Sequence, residues 1–275
     1  MDRTVVVTGA SAGIGAQAAL QFARLGDHVV LVGRTPSKLA AVADLIGRQT
    51  GLQPDQRICD FADLAAVRRT ATAIAAAYES IDVLANNAGL IADIRSSTVD
   101  GHETTIQVNH LAPFLFTFLL LDPLIAGRAR IVTTSSAAHA FGWLDPDDLD
   151  FDRRRWSRWR SYADSKQANV LFTTELSWRL RQTGVVATCF HPGLVRSDFG
   201  SGSPLFRLAM RAMPVGFVSP SQAASNLLRL ATEPAGLAVP GGYFDGATVS
   251  RPTSRAVDPG TAERLWARSE ELVAG

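Results

Sequence analysis

Thr8-Gly9-Ala10-Ser11-Ala12-Gly13-Ile14-Gly15 follows the run Val5-Val6-Val7 and leads into a stretch of helical character at residues 14–25. Three glycines between a strand and a helix have distinct physical uses. Gly9 permits the tight turn, Gly13 lets the backbone approach a pyrophosphate, and Gly15 lets helix and strand pack closely. The helix N-terminus behind them offers free amides and the positive end of a dipole, beginning at Ile14. The segment therefore predicts a dinucleotide-binding turn at the first crossover of a βαβ unit.

The rest of the chain agrees. Apolar strand candidates lie at 4–7, 28–32, 56–59, 81–85, 129–134 and 185–191, with helix candidates at 14–25, 37–48, 63–78, 103–125 and 162–181. Continuous rather than alternating apolar strands suit a parallel sheet buried on both faces. The alternation implies an α/β fold with a doubly wound parallel sheet flanked by helices. Gly26 and Gly184 stand where left-handed residues close helices. Beyond residue 200 the pattern loosens into a flap with a helical piece at 205–213, a helix at 221–231 and a short strand near Tyr243-Phe244.

Composition narrows the function. With 27 basic against 26 acidic residues the formal charge is +1, so no global field favours nucleic acid or an anionic membrane. Cys59 and Cys189 are too few for a disulfide scaffold, and their apolar surroundings predict buried thiols. The longest apolar run, 114–121, falls far short of the roughly 20 residues that span a bilayer. The early start of the first strand leaves no room for a secretory leader, so a cytoplasmic protein is expected. His139 and His191 are expected to be pocket or packing histidines, and no ligand cluster suggests a metal.

The spacing Gly-x3-Gly-x-Gly behind Thr8 resembles the cofactor loop of the short-chain dehydrogenase/reductase superfamily. Five further places resemble it in order. Asn86-Asn87-Ala88-Gly89 follows the fourth strand, and Asn109 lies in the next helix. Ser136 ends Ile131-Val132-Thr133-Thr134-Ser135-Ser136. Tyr162-Ala163-Asp164-Ser165-Lys166 supplies a Tyr-x3-Lys pair, and His191-Pro192-Gly193-Leu194-Val195 resembles the turn beside the nicotinamide. The likeness spans residues 4 to 200 and implies one Rossmann-type domain over residues 1–275 with about seven parallel strands. It also implies a homo-oligomer, dimer or tetramer.

Tyrosine and lysine four apart share a helix face. A free phenol has a pKa of about 10, and a neighbouring ammonium stabilises the phenolate. Tyr162 is therefore the expected general acid of reduction and base of oxidation. The resemblance gives Lys166 the ribose hydroxyls, Ser136 the substrate carbonyl, and Asn109 a water linking Lys166 to solvent. Ser135 competes with Ser136, which the family register favours. The chain has 25 arginines and two lysines, Lys38 and Lys166. A compact ammonium of adjustable pKa is what this chemistry needs.

The second strand ends Leu31-Val32-Gly33-Arg34-Thr35 without an acid. An acid there would read a ribose 2′-hydroxyl, whereas an arginine accommodates a 2′-phosphate. Arg34, with Ser11 and Lys38 assisting, predicts NADP(H). Asp60 resembles the family residue that contacts adenine, with Phe61 alongside. Thr8, Asn87, Ala88, Gly89, Pro192, Gly193 and Val195 complete the expected cofactor site.

Arg153-Arg154-Arg155-Trp156-Ser157-Arg158-Trp159-Arg160 tempts a nucleic-acid reading, but Asp145, Asp147, Asp148, Asp150 and Asp152 precede it. A self-neutralising excursion over the active-site mouth is the expectation, with no nucleic acid. This insertion, Ser-Ala-Ala-His after Ser135, and Gln167-Ala168-Asn169 resemble the retinol-dehydrogenase-like and protochlorophyllide-reductase-like branch. That implies a bulky apolar or aromatic ketone, aldehyde or alcohol as the small-molecule substrate. The arginine-rich composition suggests a GC-rich genome, where such ketoreductases also tailor aromatic polyketides. Segments 140–160, 194–220 and 236–260 are the expected substrate rim. Phe199, Leu205, Phe206, Met210, Met213 and Phe217 either line it or pack the flap. The rival readings are an NAD-dependent alcohol dehydrogenase and a non-catalytic NADP sensor.

Overall fold

The valine run forms β1 (Thr4–Thr8), whose side chains go alternately to the two faces of a sheet. Val5 and Val7 pack with Val29 and Leu31 in one core cluster, while Val6 packs with Val30 and Val32 in another. Burial on both faces is why the strand is apolar at every position. The structure, a computed structural model, describes residues 3–195, 217–233 and 239–274.

After β1 come α1 (Gly13–Arg24), β2 (His28–Gly33), α2 (Pro36–Thr50), β3 (Asp55–Ile58), α3 (Leu64–Ala77) and β4 (Val83–Asn86). There follow α4 (Thr104–Ile106), a π-helical turn (Gln107–Leu111), α5 (Ala112–Leu119), α6 (Leu121–Ala126), β5 (Arg130–Thr134) and a 3-10 turn (Ala137–Phe141). The remaining elements are α7 (Arg158–Arg179), β6 (Val186–His191), α8 (Pro220–Thr232), β7 (Tyr243–Asp245), β8 (Thr248–Ser250) and α9 (Pro259–Leu272). They build a single α/β domain around a sheet ordered β3-β2-β1-β4-β5-β6-β7-β8. The order reverses at β1, which lies between β2 and β4, so a crevice opens beyond the carboxyl ends of β1 and β4. Helices α1, α2 and α8 cover one face; α3, α5, α7 and α9 cover the other.

The sheet differs from expectation at its edge. Seven strands run parallel, and an eighth, β8, pairs antiparallel with β7. It is three residues long and largely exposed, so it carries no apolar signature. The expected helix over 103–125 is three segments with a π-turn among them. Pro113 has no N–H to bond the Asn109 carbonyl, and the Ala112 N–H reaches back five residues to Gln107. Widening the turn accommodates the proline without breaking the helix. The C-terminal helix α9 is an addition to the expected elements. Asp258 caps it through the Thr261 N–H at 2.8 Å, and Ala262, Leu265, Trp266 and Ser269 form its buried face. The piece at 205–213 lies outside the described residues.

The acidic and basic runs of the insertion do pair, and they also fasten it to the domain. Arg154 bonds Asp148 and Asp164 at 2.9 Å each, the latter inside α7. Arg153 meets Asp145, Arg264 of α9 meets Asp147, and Arg95 meets Asp152. Asp150 accepts from the Glu103 N–H at 2.8 Å and pairs with His102 at 3.2 Å. The other ring nitrogen of His102 faces the Leu272 carbonyl at 3.4 Å, so both nitrogens look at acceptors.

That arrangement favours the imidazolium. The Asp150 hydrogen bond raises the His102 pKa against opposing burial. Burial pushes the Asp150 carboxyl up, but hydrogen bonds from His102 and the Glu103 N–H outweigh it and hold the carboxyl below its usual range. A raised histidine contributes fully below about pH 6.5 and loses its contribution as pH rises through the raised value. A depressed aspartate contributes above about pH 4 and loses that contribution as pH falls. His102→Ala should therefore lower the melting temperature by a few degrees at pH 5 to 6, and by clearly less at pH 8.5. A gap that is constant or widens with pH would contradict the pairing.

Candidate active site

Thr8 organises the crevice. Its hydroxyl donates to the Ala85 carbonyl at 3.1 Å and accepts the N–H groups of Asn87 and Ala88 at 3.0 and 3.1 Å. The Asn87 amide donates to the Thr8 carbonyl at 3.1 Å. The glycine turn and the Asn-Asn-Ala-Gly segment are thereby one unit. A Cβ on Gly15 would come 2.4 Å from the Gly9 carbonyl oxygen, so only glycine fits there. Gly13 is different: its φ is +57° and a Cβ would meet nothing within 4 Å. That is open space in front of α1, whose N-cap, Ala12, has no side chain able to satisfy the first amides. A cradle of this kind suits an anion.

The β2 end lies beside it, since the Ala10 N–H donates to the Val32 carbonyl at 3.1 Å. The Ser11 side chain lies next to Gly33, 3.5 Å from where a Cβ would stand. Arg34, Lys38 and Asp60 are exposed, and among the described residues Arg34 and Lys38 have no ion pair. Phe61, next to Asp60, has its ring buried in the core against Phe116, with centroids 5.7 Å apart.

Across the crevice, β5, the 3-10 turn and α7 bring the remaining candidates together. Ser136 caps the 3-10 turn through the Ala138 N–H and is hydrogen-bonded to Tyr162. Ser135 is spent elsewhere, its hydroxyl donating to the Lys166 carbonyl at 2.9 Å while its side chain lies buried. Lys166 donates through Nζ to the Thr134 carbonyl at 3.0 Å and stands 5.6 Å from the centre of the Tyr162 ring. Asn109, in the π-turn, accepts the Leu90 N–H at 2.7 Å and donates to the Leu90 carbonyl and to Ser165. Ser165 in turn donates to the Tyr162 carbonyl at 2.7 Å. A Cβ on Gly89 would lie 3.1 Å from Asn109 Oδ1 and 3.6 Å from Lys166 Nζ, which measures how closely these groups converge.

Burial dominates the electrostatics. It pushes the Tyr162 phenol up to about 12 against the opposing hydrogen bond from Ser136. It pushes the Lys166 ammonium down to about 8. The expected downward pull of Lys166 on Tyr162 is thus not what prevails, because Nζ lies over the ring and both groups are desolvated together. His139 donates through Nδ1 to the Ser136 carbonyl at 2.8 Å and packs on Tyr243. Burial lowers its pKa and that of His191.

Pro192 and Gly193 end β6, Gly193 with φ +90° and a Cβ position only 2.5 Å from Val218. Val195 bridges to Val218. Of the rim candidates only Phe217 is described; Phe199, Leu205, Phe206, Met210 and Met213 lie outside the described residues. Ser165 and the Thr134 carbonyl were missed as site groups. Ser165, three residues after Tyr162 on one helix face, could have been found from spacing alone. Among the described residues, no helix is long and apolar enough to cross a membrane, and no cluster of His, Cys, Asp or Glu could hold a metal.

A family model described as short chain dehydrogenase matches residues 3–148. The chain belongs to the short-chain dehydrogenase family. A protein of Streptomyces sp. (strain C5) named "Putative daunorubicin C-13 ketoreductase DnrU" is 41% identical over 98% of this chain and 92% of its own. Human retinol dehydrogenase 13 is 39% identical over 98% of this chain and 84% of its own. These relatives set this short-chain dehydrogenase in the retinol-dehydrogenase-like branch. A Shigella flexneri 2a str. 301 short chain dehydrogenase crystallised with NADP superposes with a TM-score of 0.70 at 28% identity, covering 89% of this chain and 97% of that one.

The two inner glycines of this short-chain dehydrogenase turn should fail differently. Gly15→Ala forces a methyl group against backbone and should cost about 1–3 kcal/mol, seen as a lower denaturation midpoint. Gly13→Ala meets no protein atom, so beyond about 1–2 kcal/mol of left-handed strain its effect should fall on nucleotide affinity, read by titration. Equal damage to stability and unaltered nucleotide binding in both would refute the cradle.

Proposed function

We propose that this short-chain dehydrogenase is an NADP(H)-dependent reductase of bulky apolar or aromatic ketones and aldehydes, acting on the corresponding alcohols in reverse. The observation that carries the reading is the convergence of Ser136, Tyr162, Lys166 and Asn109 beside the uncapped, open glycine turn.

The residues present fit a phosphorylated dinucleotide. The α1 amides would take the pyrophosphate, and Arg34 with Ser11 and Lys38 would take a 2′-phosphate at the end of β2. Asp60 stands at the neighbouring end of β3, where the family contacts adenine. A bound nicotinamide supplies the hydride. Tyr162 holds the proton at its phenol oxygen and gives it to the substrate oxygen as negative charge develops there. Ser136 Oγ donates a second hydrogen bond to the same oxygen and orients it. Lys166 offers its ammonium to ribose hydroxyls and to the phenolate left behind. The resemblance gives Asn109 a water that returns the proton from solvent.

The apolar substrate class rests on two supports. One is the activity named for the ketoreductase and retinol dehydrogenase relatives. The other is the exposure of Phe141 at 84% and Trp143 at 68%, immediately after the Ser136 turn. Large exposed aromatics at a site mouth suit an apolar ligand.

Titration with NADPH and NADH tests the cofactor. NADPH should bind more tightly, and Arg34→Asp should weaken it by about tenfold or more, as expected for a lost charge-assisted bond of ~1.5–3 kcal/mol. Tyr162→Phe should retain NADPH affinity and lose about 100- to 10,000-fold in ketone turnover. Tighter NADH binding would remove Arg34 as phosphate reader, and full turnover by the phenylalanine variant would remove Tyr162 as acid.

A further inference from the structure

We propose that Glu103 is a positioning residue that sets Tyr162 and Asn109 at working distance from one another, a role that rests on the reductase reading above. Glu103 is only 2% exposed, yet it touches neither the glycine turn nor the Ser136 hydroxyl. Three donors converge on its carboxylate. The Ile106 N–H reaches Oε2 at 2.8 Å, capping the short helix that leads into the π-turn. The Ser161 hydroxyl donates to the same oxygen at 2.7 Å, and the Trp156 indole N–H donates to Oε1 at 3.0 Å.

Ser161 immediately precedes Tyr162 and is fully buried. One helical turn further along α7, Ser165 receives the Asn109 amide at 3.0 Å and bonds the Tyr162 carbonyl. The Asn109 segment and α7 are therefore joined by two rungs, Glu103 to Ser161 and Asn109 to Ser165, which bracket Tyr162. Two rungs fix register and angle where one would leave a pivot. The first rung also receives Trp156 from the insertion, so the mouth of the site is tied to the same carboxylate.

Every partner of the carboxylate is a donor, which makes the charged acid hard to replace. Glutamine offers one acceptor oxygen and turns an NH2 group against a donor. Glu103→Gln should lower kcat for ketone reduction by about 10- to 100-fold, the scale expected when reacting groups shift by about 1 Å. Its NADPH dissociation constant should stay within about twofold, because the glycine turn is untouched. Ser161→Ala should lower kcat less, in the same direction, and should add nothing in the Glu103→Gln background.

A purely structural carboxylate would instead lower NADPH affinity along with kcat, or give losses that multiply in the double variant, and either result overturns the proposal. If Glu103→Gln does not fold, Ser161→Ala alone decides: kcat equal to the unmodified enzyme overturns it. Amide exchange over residues 160–169 supplies a readout without turnover. Should the unmodified enzyme reduce no ketone, the reductase reading falls. Faster exchange in Glu103→Gln would then keep the clamp, and unchanged exchange would overturn it as well.

Discussion

The three hydrogen bonds at the Thr8 hydroxyl hold the architecture open where it must be open. A sheet whose order reverses at β1 leaves a crevice, but the crevice has a shape only if the two loops that border it are fixed to each other. Thr8 does this at the last residue of β1, donating to β4 and accepting from the two amides that follow it. With the two loops joined, Gly15 must pack against Gly9, and the α1 amides then face the gap with Gly13 in front of them. A side chain at Gly13 would fill the space the fold creates, and one at Gly15 would collide with the Gly9 backbone.

The opposite wall depends on α7. It is capped by Ser157 and anchored through Asp164 to Arg154 and through Gln167 to the Leu144 N–H. Its cluster of partners explains why so many polar residues on one helix are buried. Ser161, Asp164, Ser165, Lys166, Gln167, Asn169 and Thr173 each bond a neighbour, as the cost of an unpaired buried polar group requires. The Asp148–Arg154–Asp164 triad contributes less to net stability than to geometry, because desolvation offsets most of the attraction between such charges. Its effect is to hold the insertion against the helix that carries Tyr162 and Lys166.

Features whose reason is local were legible in the sequence. The glycine turn, the Tyr-x3-Lys pair and the apolar strands each follow from backbone or period constraints within a few residues. Features decided at long range were not. Phe61 lies next to Asp60 in sequence, but Phe116 from α5 draws its ring into the core. The π-turn is the response of one helix to Pro113, which equally could have ended it. In α9 the buried positions are interleaved with Glu263, Arg264, Arg268, Glu270 and Glu271, so the Asp258-Pro259 start signal stood without a clear apolar stripe. The acidic run of the insertion was paired correctly with its own arginines, while its partners His102 and Arg264 come from distant segments.

Lys166 shows what the site costs the fold. Lys166 is 3% exposed, and among the described residues its ammonium has one neutral acceptor, the Thr134 carbonyl. A pKa of about 8 in place of 10.5 means that the charged form is destabilised by folding, on the order of 3 kcal/mol at neutral pH. The sign follows from linkage: a base whose pKa is lowered in the folded state opposes folding wherever it is protonated, and the penalty fades as pH rises from about 8 toward its unfolded value near 10. In a chain with 25 arginines and two lysines, nothing in composition favours lysine here. Arginine would be still harder to neutralise, and its planar fork would not fit a single carbonyl as a compact ammonium does. Tyr162, hydrogen-bonded to Ser136, is pushed toward its neutral form by the same burial. A charge or hydroxyl brought to this wall therefore gains more than it would in water, which is how the fold can hold a reactive acid.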